Sequence, residues 1–129
     1  MVVDISALVA ILFGELDVER FAHALGEAPA RLLSAVTRVE LSFVVEGRKG
    51  EPGRADLELL LRDGAFDVIA VTQQQAEIAI EAFRRFGRGR HPAALNIGDC
   101  FSYALAKFSG EPLLAKGTDF NLADIAVHR

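Results

Sequence analysis

Short apolar runs alternate along this chain with longer segments in which apolar residues recur at helical spacing. The runs cover residues 2–4, 31–35, 66–71 and 113–116, and FDVIAV at 66–71 is rich in the aromatic and β-branched residues typical of strands. Strands joined by helical crossovers pair in parallel, and helices cover both faces of a parallel sheet. The pattern therefore predicts a three-layer α/β/α sandwich with a mainly parallel central sheet.

Capping patterns and helical spacing predict six helices, over residues 7–13, 16–26, 37–47, 52–64, 72–86 and 97–109. Ser6 is expected to cap the first of them, and Thr37 with Glu40 and Thr72 with Gln75 match the capping-box pattern that opens two others. The segments expected outside the helices are a surface loop at 47–53 (GRKGEPG), a turn region at 117–124 and a last short strand at 125–127.

The length of 129 residues predicts a single domain over residues 1–129 with one well-buried core. The only cysteine, Cys100, has no partner for an internal disulfide, and no Cys/His spacing indicates structural zinc, which together favour a cytoplasmic setting. The apolar N-terminal segment lacks preceding basic residues, contains Asp4 and is too short to span a bilayer. We interpret it as a strand followed by a helix.

Four acids are expected at one edge of the predicted sheet. Asp4 ends the first strand, and Asp119 follows the strand at 113–116 by three residues. Glu40 and Asp99 fall in the first turns of predicted helices, and ligands of open parallel sheets bind beyond the carboxyl ends of the strands. Because Asn96 is a good N-cap, Asp99 could instead serve only as a capping acid in its helix.

Crowded carboxylates repel one another and raise one another's pKa unless a cation neutralises them. Mg²⁺ and Mn²⁺ prefer carboxylate and water oxygens, and two such ions about 4 Å apart can activate a water for phosphodiester cleavage. The residues alone leave two interpretations open, a metal site or separate capping and solvated acids, because 18 acids can be combined in many ways.

A basic cluster lies just before the helix that contains Asp99. It consists of Arg84, Arg85, Arg88 and Arg90. The net charge of −4 argues against general affinity for nucleic acid, so these arginines either contact RNA phosphates locally or form a solvated helix end.

Four stretches together resemble the PIN-domain family, and within it the VapC-type toxins of bacterial toxin–antitoxin modules. They are MVVDISALVAIL at 1–12, SAVTRVEL at 34–41, FGRGRHPAALNIGDCFSYALA at 86–106 and LLAKGTDFNLADI at 113–125. The resemblance implies a PIN-like fold, a homodimer, and Mg²⁺- or Mn²⁺-dependent endoribonuclease activity that a cognate antitoxin restrains.

The resemblance also assigns roles to individual residues. The catalytic, metal-binding acids of the family fall on Asp4, Glu40, Asp99 and Asp119. Ser6 matches a hydroxyl residue that supports the first aspartate, and Asp124 matches a further supporting acid. This chain departs from the family pattern at Ile5 and Ala123, where threonine is usual, so two supporting hydroxyl groups are missing.

Two alternatives belong to other functional classes. The missing hydroxyls at Ile5 and Ala123 leave open a catalytically weakened PIN-like module that binds RNA or protein. A phospho-acceptor receiver domain would need paired acids after the first strand and an acid at the end of a middle strand. This chain has Asp4 alone, and FDVIAV ends without an acid, so the receiver class fits the sequence less well.

Overall fold

Four parallel strands form the central sheet of the computed structural model, which describes residues 1–128. In chain order they are β1 (Val2–Val3), β2 (Arg31–Ser34), β3 (Phe66–Ile69) and β4 (Leu113–Leu114). Their order across the sheet is β3-β2-β1-β4, with Val2 opposite both Leu32 and Leu113. The predicted last strand at 125–127 is wrong, since Val127 forms only an isolated bridge to Leu113.

Helices cover both faces of this sheet. They are α1 (Ile5–Leu12), α2 (Val18–Glu27), α3 (Ala35–Asp63), α4 (Gln73–Phe86) and α5 (Ile97–Ser109), and a short 3₁₀ helix follows at Asp119–Leu122. Successive strand side chains point to opposite faces, so Val2 packs with α4 and α5 while Val3 packs with α1, α2 and α3. The predicted three-layer α/β/α sandwich is therefore confirmed. No helix within residues 1–128 is long and apolar enough to cross a membrane.

Two helices begin earlier than the sequence predicts. Asp4, not Ser6, is the N-cap of α1, and its carboxylate accepts a hydrogen bond from the backbone N–H of Ser6. Ser34, not Thr37, caps α3, and its hydroxyl oxygen accepts from the backbone N–H of Val36 at 3.3 Å. Thr37 is consequently inside the helix and buried, where its hydroxyl is free to contact another element.

The predicted surface loop at 47–53 is also wrong, because α3 continues through it with one kink at Gly50. Gly50 has φ 58° and ψ −144°, a conformation that other residues rarely adopt. Pro52 lies in the first turn after this kink, where its missing N–H costs no helical hydrogen bond. The chain therefore changes direction at Gly50 alone, where the sequence predicted a loop of seven residues at 47–53.

The predicted ends of α4 and α5 are confirmed. The hydroxyl oxygen of Thr72 caps α4 by accepting from the backbone N–H of Gln75 at 3.1 Å. Asn96 caps α5, and Gly110 ends it in the left-handed conformation with φ 72°. The start of α5 places Asp99 at the edge of the sheet where β1 and β4 end.

Candidate active site

Asp4 lies at the junction of β1 and α1 and is only 2% exposed. One carboxylate oxygen, Oδ2, accepts hydrogen bonds from the backbone N–H of Ser6 at 3.1 Å and from its hydroxyl at 2.7 Å. The other, Oδ1, accepts from the hydroxyl of Ser102 at 2.6 Å. Both oxygens are thus oriented by donors, and Ser6 contacts Asp4 as the sequence suggested.

Ser102 and Thr37 are part of this site, although the sequence did not indicate them. Because the hydroxyl hydrogen of Ser102 goes to Asp4, Thr37 must donate to Ser102 across the 3.4 Å between their oxygens. Ser6 in turn accepts from the backbone N–H of Lys116 at 2.9 Å. The network joins the ends of β1 and β4 to α3 and α5. One weak signal was available, since Ser102 lies one helical turn after Asp99.

Glu40 lies on α3, and its carboxylate points toward the first turn of α5. Its Oε1 atom is buried and has no hydrogen-bond partner among the described residues. Burial raises the pKa of this carboxyl, and the charge of Asp4 raises it further. An oxygen that is buried, anionic and without a donor is suited to a cation.

Asp99 is a capping acid, and it also lies within electrostatic range of the other three acids. Its carboxylate accepts from the backbone N–H of Asn96 at 2.9 Å, and its own N–H donates to the Asn96 side chain at 2.9 Å, which completes a capping box. Burial is the main cause that raises its pKa to about 6, against the lowering effect of the Asn96 hydrogen bond. The charges of Asp4, Glu40 and Asp119 raise it further, so Asp99 also belongs to an acidic group.

Asp119 is the exposed first residue of the 3₁₀ helix, and its charge contributes to the raised pKa of Asp99. The structure therefore brings the other three predicted acids within electrostatic range of Asp99. Within residues 1–128, however, no three acidic, histidine or cysteine side chains are arranged so that they could already hold a metal ion. The acids affect one another's charge, but no three of them already surround a single point within residues 1–128.

The donor set fits a hard divalent cation. Its oxygens are all from carboxylates, one of them is buried without a partner, and the mutual repulsion is not offset from within the group. Mg²⁺ and Mn²⁺ prefer such oxygens and would remove the repulsion.

Asp124 makes its contacts away from these four acids. It accepts a short hydrogen bond from the hydroxyl of Tyr103 and pairs with Lys107 and Arg85, each at 3.2 Å. The hydrogen bond from Tyr103 is the main cause that lowers the pKa of Asp124 to about 2. These contacts tie the C-terminal segment to α4 and α5, so the structure gives Asp124 a bridging position.

The four predicted RNA-binding arginines fall into two pairs. Arg84 pairs with Glu81 at 3.5 Å, and Arg85 pairs with Asp124. Arg88 and Arg90 are exposed and form no ion pair within residues 1–128, although the Arg90 guanidinium lies 5.4 Å from the ring centre of Phe83. The second pair therefore carries charge that no acid within residues 1–128 pairs with.

Comparison with known proteins places this geometry in a family. The PIN domain model matches residues 1–126. Ribonuclease VapC30 of Mycobacterium tuberculosis is 52% identical over 126 residues, which cover 98% of this chain and 96% of the relative.

Two solved structures share the fold at 20% sequence identity. The crystal structure of Mycobacterium tuberculosis VapC20, described as a Sarcin-Ricin loop cleaving toxin, has a TM-score of 0.80 and covers 99% of this chain and 98% of its own. A toxin–antitoxin complex from Klebsiella pneumoniae has a TM-score of 0.73, with coverages of 98% and 95%. The family model and the VapC30 identity decide the assignment: this chain belongs to the PIN-domain family, and within it to the VapC-type proteins.

Proposed function

We propose that this chain is an endoribonuclease toxin that cleaves RNA phosphodiesters with a divalent metal and water. The observation that carries the proposal is the group of Asp4, Glu40, Asp99 and Asp119, which lacks an internal counter-charge. Burial, with the charges of the other three acids in addition, raises the pKa of Asp99 to about 6. The 52% identity to a protein named ribonuclease VapC30 supports the same activity. Perturbed carboxyl groups gathered at one edge of a sheet are typical of catalytic sites.

Within this proposal, the four acids would hold Mg²⁺ or Mn²⁺. When bound, such an ion supplies Lewis acidity for the attacking water and the phosphate. Ser6 and Ser102 hold both oxygens of Asp4 in place, and the capping box with Asn96 fixes the backbone that carries Asp99. Glu40 contributes a buried oxygen that no donor occupies. The chain's own hydrogen bonds thus orient Asp4 and Asp99 in advance.

Metal-dependent cleavage is the test. Purified protein is incubated with single-stranded RNA in Mg²⁺, in Mn²⁺ or in EDTA, and we expect cleavage only with metal and recovery when excess metal follows EDTA. Manganese should also raise the melting temperature, by about 2.7 kcal/mol of stability at a hundredfold excess over its dissociation constant. Cleavage that persists in EDTA, or a melting temperature indifferent to manganese, would contradict the proposal.

A weakened PIN-like module that binds RNA or protein is the alternative function. Ile5 and Ala123, where the family pattern has threonine, pack against the apolar cores on the two faces of the sheet. Neither side chain has a hydroxyl group, so neither can donate a hydrogen bond to the acids as threonine could. This alternative predicts RNA or protein binding with no cleavage at any metal concentration, which the same assay measures.

The proposed partners are an RNA substrate, a cognate antitoxin and a second copy of this chain. The Klebsiella pneumoniae neighbour is a toxin–antitoxin complex, and an acidic site can accept an arginine that pairs bidentately with a carboxylate. A homodimer is supported by apolar side chains such as Phe43 and Ile97, each 74% exposed. Replacing arginines in an antitoxin tail peptide should weaken inhibition, and mass measurement in solution tests the dimer.

A further inference from the structure

Gly98 is the second residue of α5, and it is buried against the carboxylate of Glu40. A Cβ atom at position 98 would lie 2.4 Å from Oε1 of Glu40 and 2.9 Å from Oε2. Both distances are shorter than any ordinary contact between nonbonded atoms. The missing side chain is therefore what allows the carboxylate to lie where it does.

The backbone does not require glycine at this position. Gly98 has an ordinary helical conformation, and glycine is a poorer helix former than alanine. Gly47, in the helix α3, offers a contrast, because a Cβ there would meet nothing within 4 Å. The helical glycine at position 98 is thus explained by its neighbour, and that neighbour is an acid with a buried oxygen that has no partner.

We propose that Gly98 is a positioning residue for the metal-dependent reaction, since its missing side chain lets Glu40 approach the first turn of α5 beside Asp99. There the two carboxylates can bind one divalent cation together. This inference rests on the proposed function, and it goes further by assigning a role to a residue without a functional group. Gly98 itself contacts neither the metal nor the RNA.

Substitution by alanine should move Glu40 and leave α5 in place. The start of α5 is held by the capping box of Asn96 with Asp99 and by the hydrogen bond from Ser102 to Asp4. The atoms that a new Cβ would meet belong to the end of a flexible glutamate side chain. The Glu40 side chain should therefore rotate away while the backbone of α5 stays in place. The fold should be kept, and the carboxylate should leave its present position.

The experiment measures manganese binding by calorimetry, RNA cleavage, and the melting temperature in EDTA. For Gly98→Ala we expect manganese affinity and cleavage to fall by about ten- to hundredfold, the usual size of such indirect effects. The melting temperature in EDTA should not fall. The control Gly47→Ala adds the same methyl group in open space and should change neither binding nor cleavage.

A second substitution separates positioning from general damage. Glu40→Asp shortens the acid by one methylene and withdraws it from the added Cβ. Gly98→Ala with Glu40→Asp should therefore bind manganese more tightly than Gly98→Ala alone, a coupling that a double-mutant cycle detects.

Three results would overturn parts of this account in distinguishable ways. A Gly98→Ala protein that binds manganese like the wild type would overturn the role of Gly98 and leave the proposed function standing. Loss of binding with a lower melting temperature in EDTA, and no recovery with Glu40→Asp, would assign Gly98 a purely structural role. A wild-type protein that neither binds manganese nor cleaves RNA would overturn the proposed function itself.

Discussion

Two carboxylates beside α5 have opposite electrostatic surroundings. Asp99, at the start of the helix, is half-buried among three other acids, and its pKa is raised to about 6. Asp124 lies beside a later turn of the helix, where the Tyr103 hydroxyl, Lys107 and Arg85 lower its pKa to about 2. The protein provides its own counter-charge for one acid and none for the other.

This difference separates an acid that stabilises the fold from acids that reduce its stability. The contacts of Asp124 join the C-terminal segment to two helices. The group around Asp99 contains repulsion that no cationic side chain within residues 1–128 is seen to offset. Natural proteins tolerate such local conflicts mainly at functional sites. The contrast therefore supports the proposal that the acids around Asp99, and not Asp124, form the functional group.

Replacement of each acid by its amide should have opposite consequences. Asp99→Asn should reduce metal-dependent RNA cleavage at least about a hundredfold, since it removes a charged group from the site where charge develops. The fold should be kept, because asparagine can still accept the capping hydrogen bond. Asp124→Asn should leave cleavage near the wild-type rate and lower the melting temperature.

Initial cleavage rates at saturating manganese and thermal melting in EDTA measure this pair. Near wild-type cleavage by folded Asp99→Asn would remove Asp99 from the site. An equally large loss of cleavage in Asp124→Asn would mean that the two acids do not differ as described.

Removal of the Ser102 hydroxyl should have the next largest effect. Ser102→Ala leaves Oδ1 of the buried Asp4 without its donor, which should cost about 1–3 kcal/mol of stability. Manganese affinity should fall by about ten- to hundredfold because Asp4 loses its fixed orientation. Calorimetry and denaturant unfolding measure the two effects. Ser109→Ala, on the last turn of the same helix, is the control and should affect metal binding by less than twofold or so.

The two acids should also give opposite dependences of stability on pH without metal. Because the pKa of Asp99 is raised, its contribution is fully present below its ordinary value of 3.8 and is lost as pH rises through about 6. The contribution of Asp124 is present above 3.8 and is lost as pH falls toward about 2.

Free energies of unfolding in EDTA, measured between pH 3 and pH 7, test these signs. The wild type should lose more stability than Asp99→Asn between about pH 4 and pH 6, and the raised pKa of Glu40 acts in the same direction. Asp124→Asn should lose less than the wild type below pH 4. Parallel curves for the wild type and Asp99→Asn would contradict the burial and repulsion described for Asp99.

Local chemistry was predictable from the sequence where partners are close along the chain. Asn96 and Asp99 are three residues apart, so their capping box and the start of α5 could be recognised. Thr37 and Glu40 have the same spacing, but Ser34 begins the helix first, and Thr37 turns instead to Ser102, 65 residues away. The predicted capping box of Thr72 with Gln75 forms only in part, since Thr72 caps the helix but the Gln75 side chain donates to the Ala70 carbonyl. The same spacing therefore had different outcomes, and tertiary contacts decided the one at Thr37.

The interior of the site depends on still longer separations. Ser102 contacts Asp4 across 98 residues, and Arg85 contacts Asp124 across 39. No pattern in a single sequence states which of many serines or arginines lies opposite a given acid. The parallel fold could be predicted because alternating strands and helices constrain topology, and topology alone was enough to bring four acids to one edge.

The smallest expected effect concerns the four arginines. Like the acids, some of them are paired within the protein and others are not. Arg88 and Arg90 form no ion pair within residues 1–128, whereas Arg84 and Arg85 neutralise Glu81 and Asp124. Neutralising Arg88 and Arg90 together should weaken RNA binding and reduce the slope of log affinity against log salt by up to about two. The slope falls because binding without these two phosphate contacts releases fewer counterions. Cleavage-site choice should change little, since phosphate contacts position the strand without specifying bases.

The paired arginines provide the matched control for this prediction. Neutralising Arg84 and Arg85 removes the same two charges but exposes two acids that they had screened, and it loosens the Asp124 contacts as well. If RNA binds mainly to the unpaired arginines, neutralising Arg88 and Arg90 should alter the salt slope more than neutralising Arg84 and Arg85. Only the change at Arg84 and Arg85 should lower the melting temperature. Equal salt slopes for both double variants would mean that RNA binding depends on the total charge of the segment. The distinction between groups paired within the protein and groups left unpaired would then hold for the acids alone.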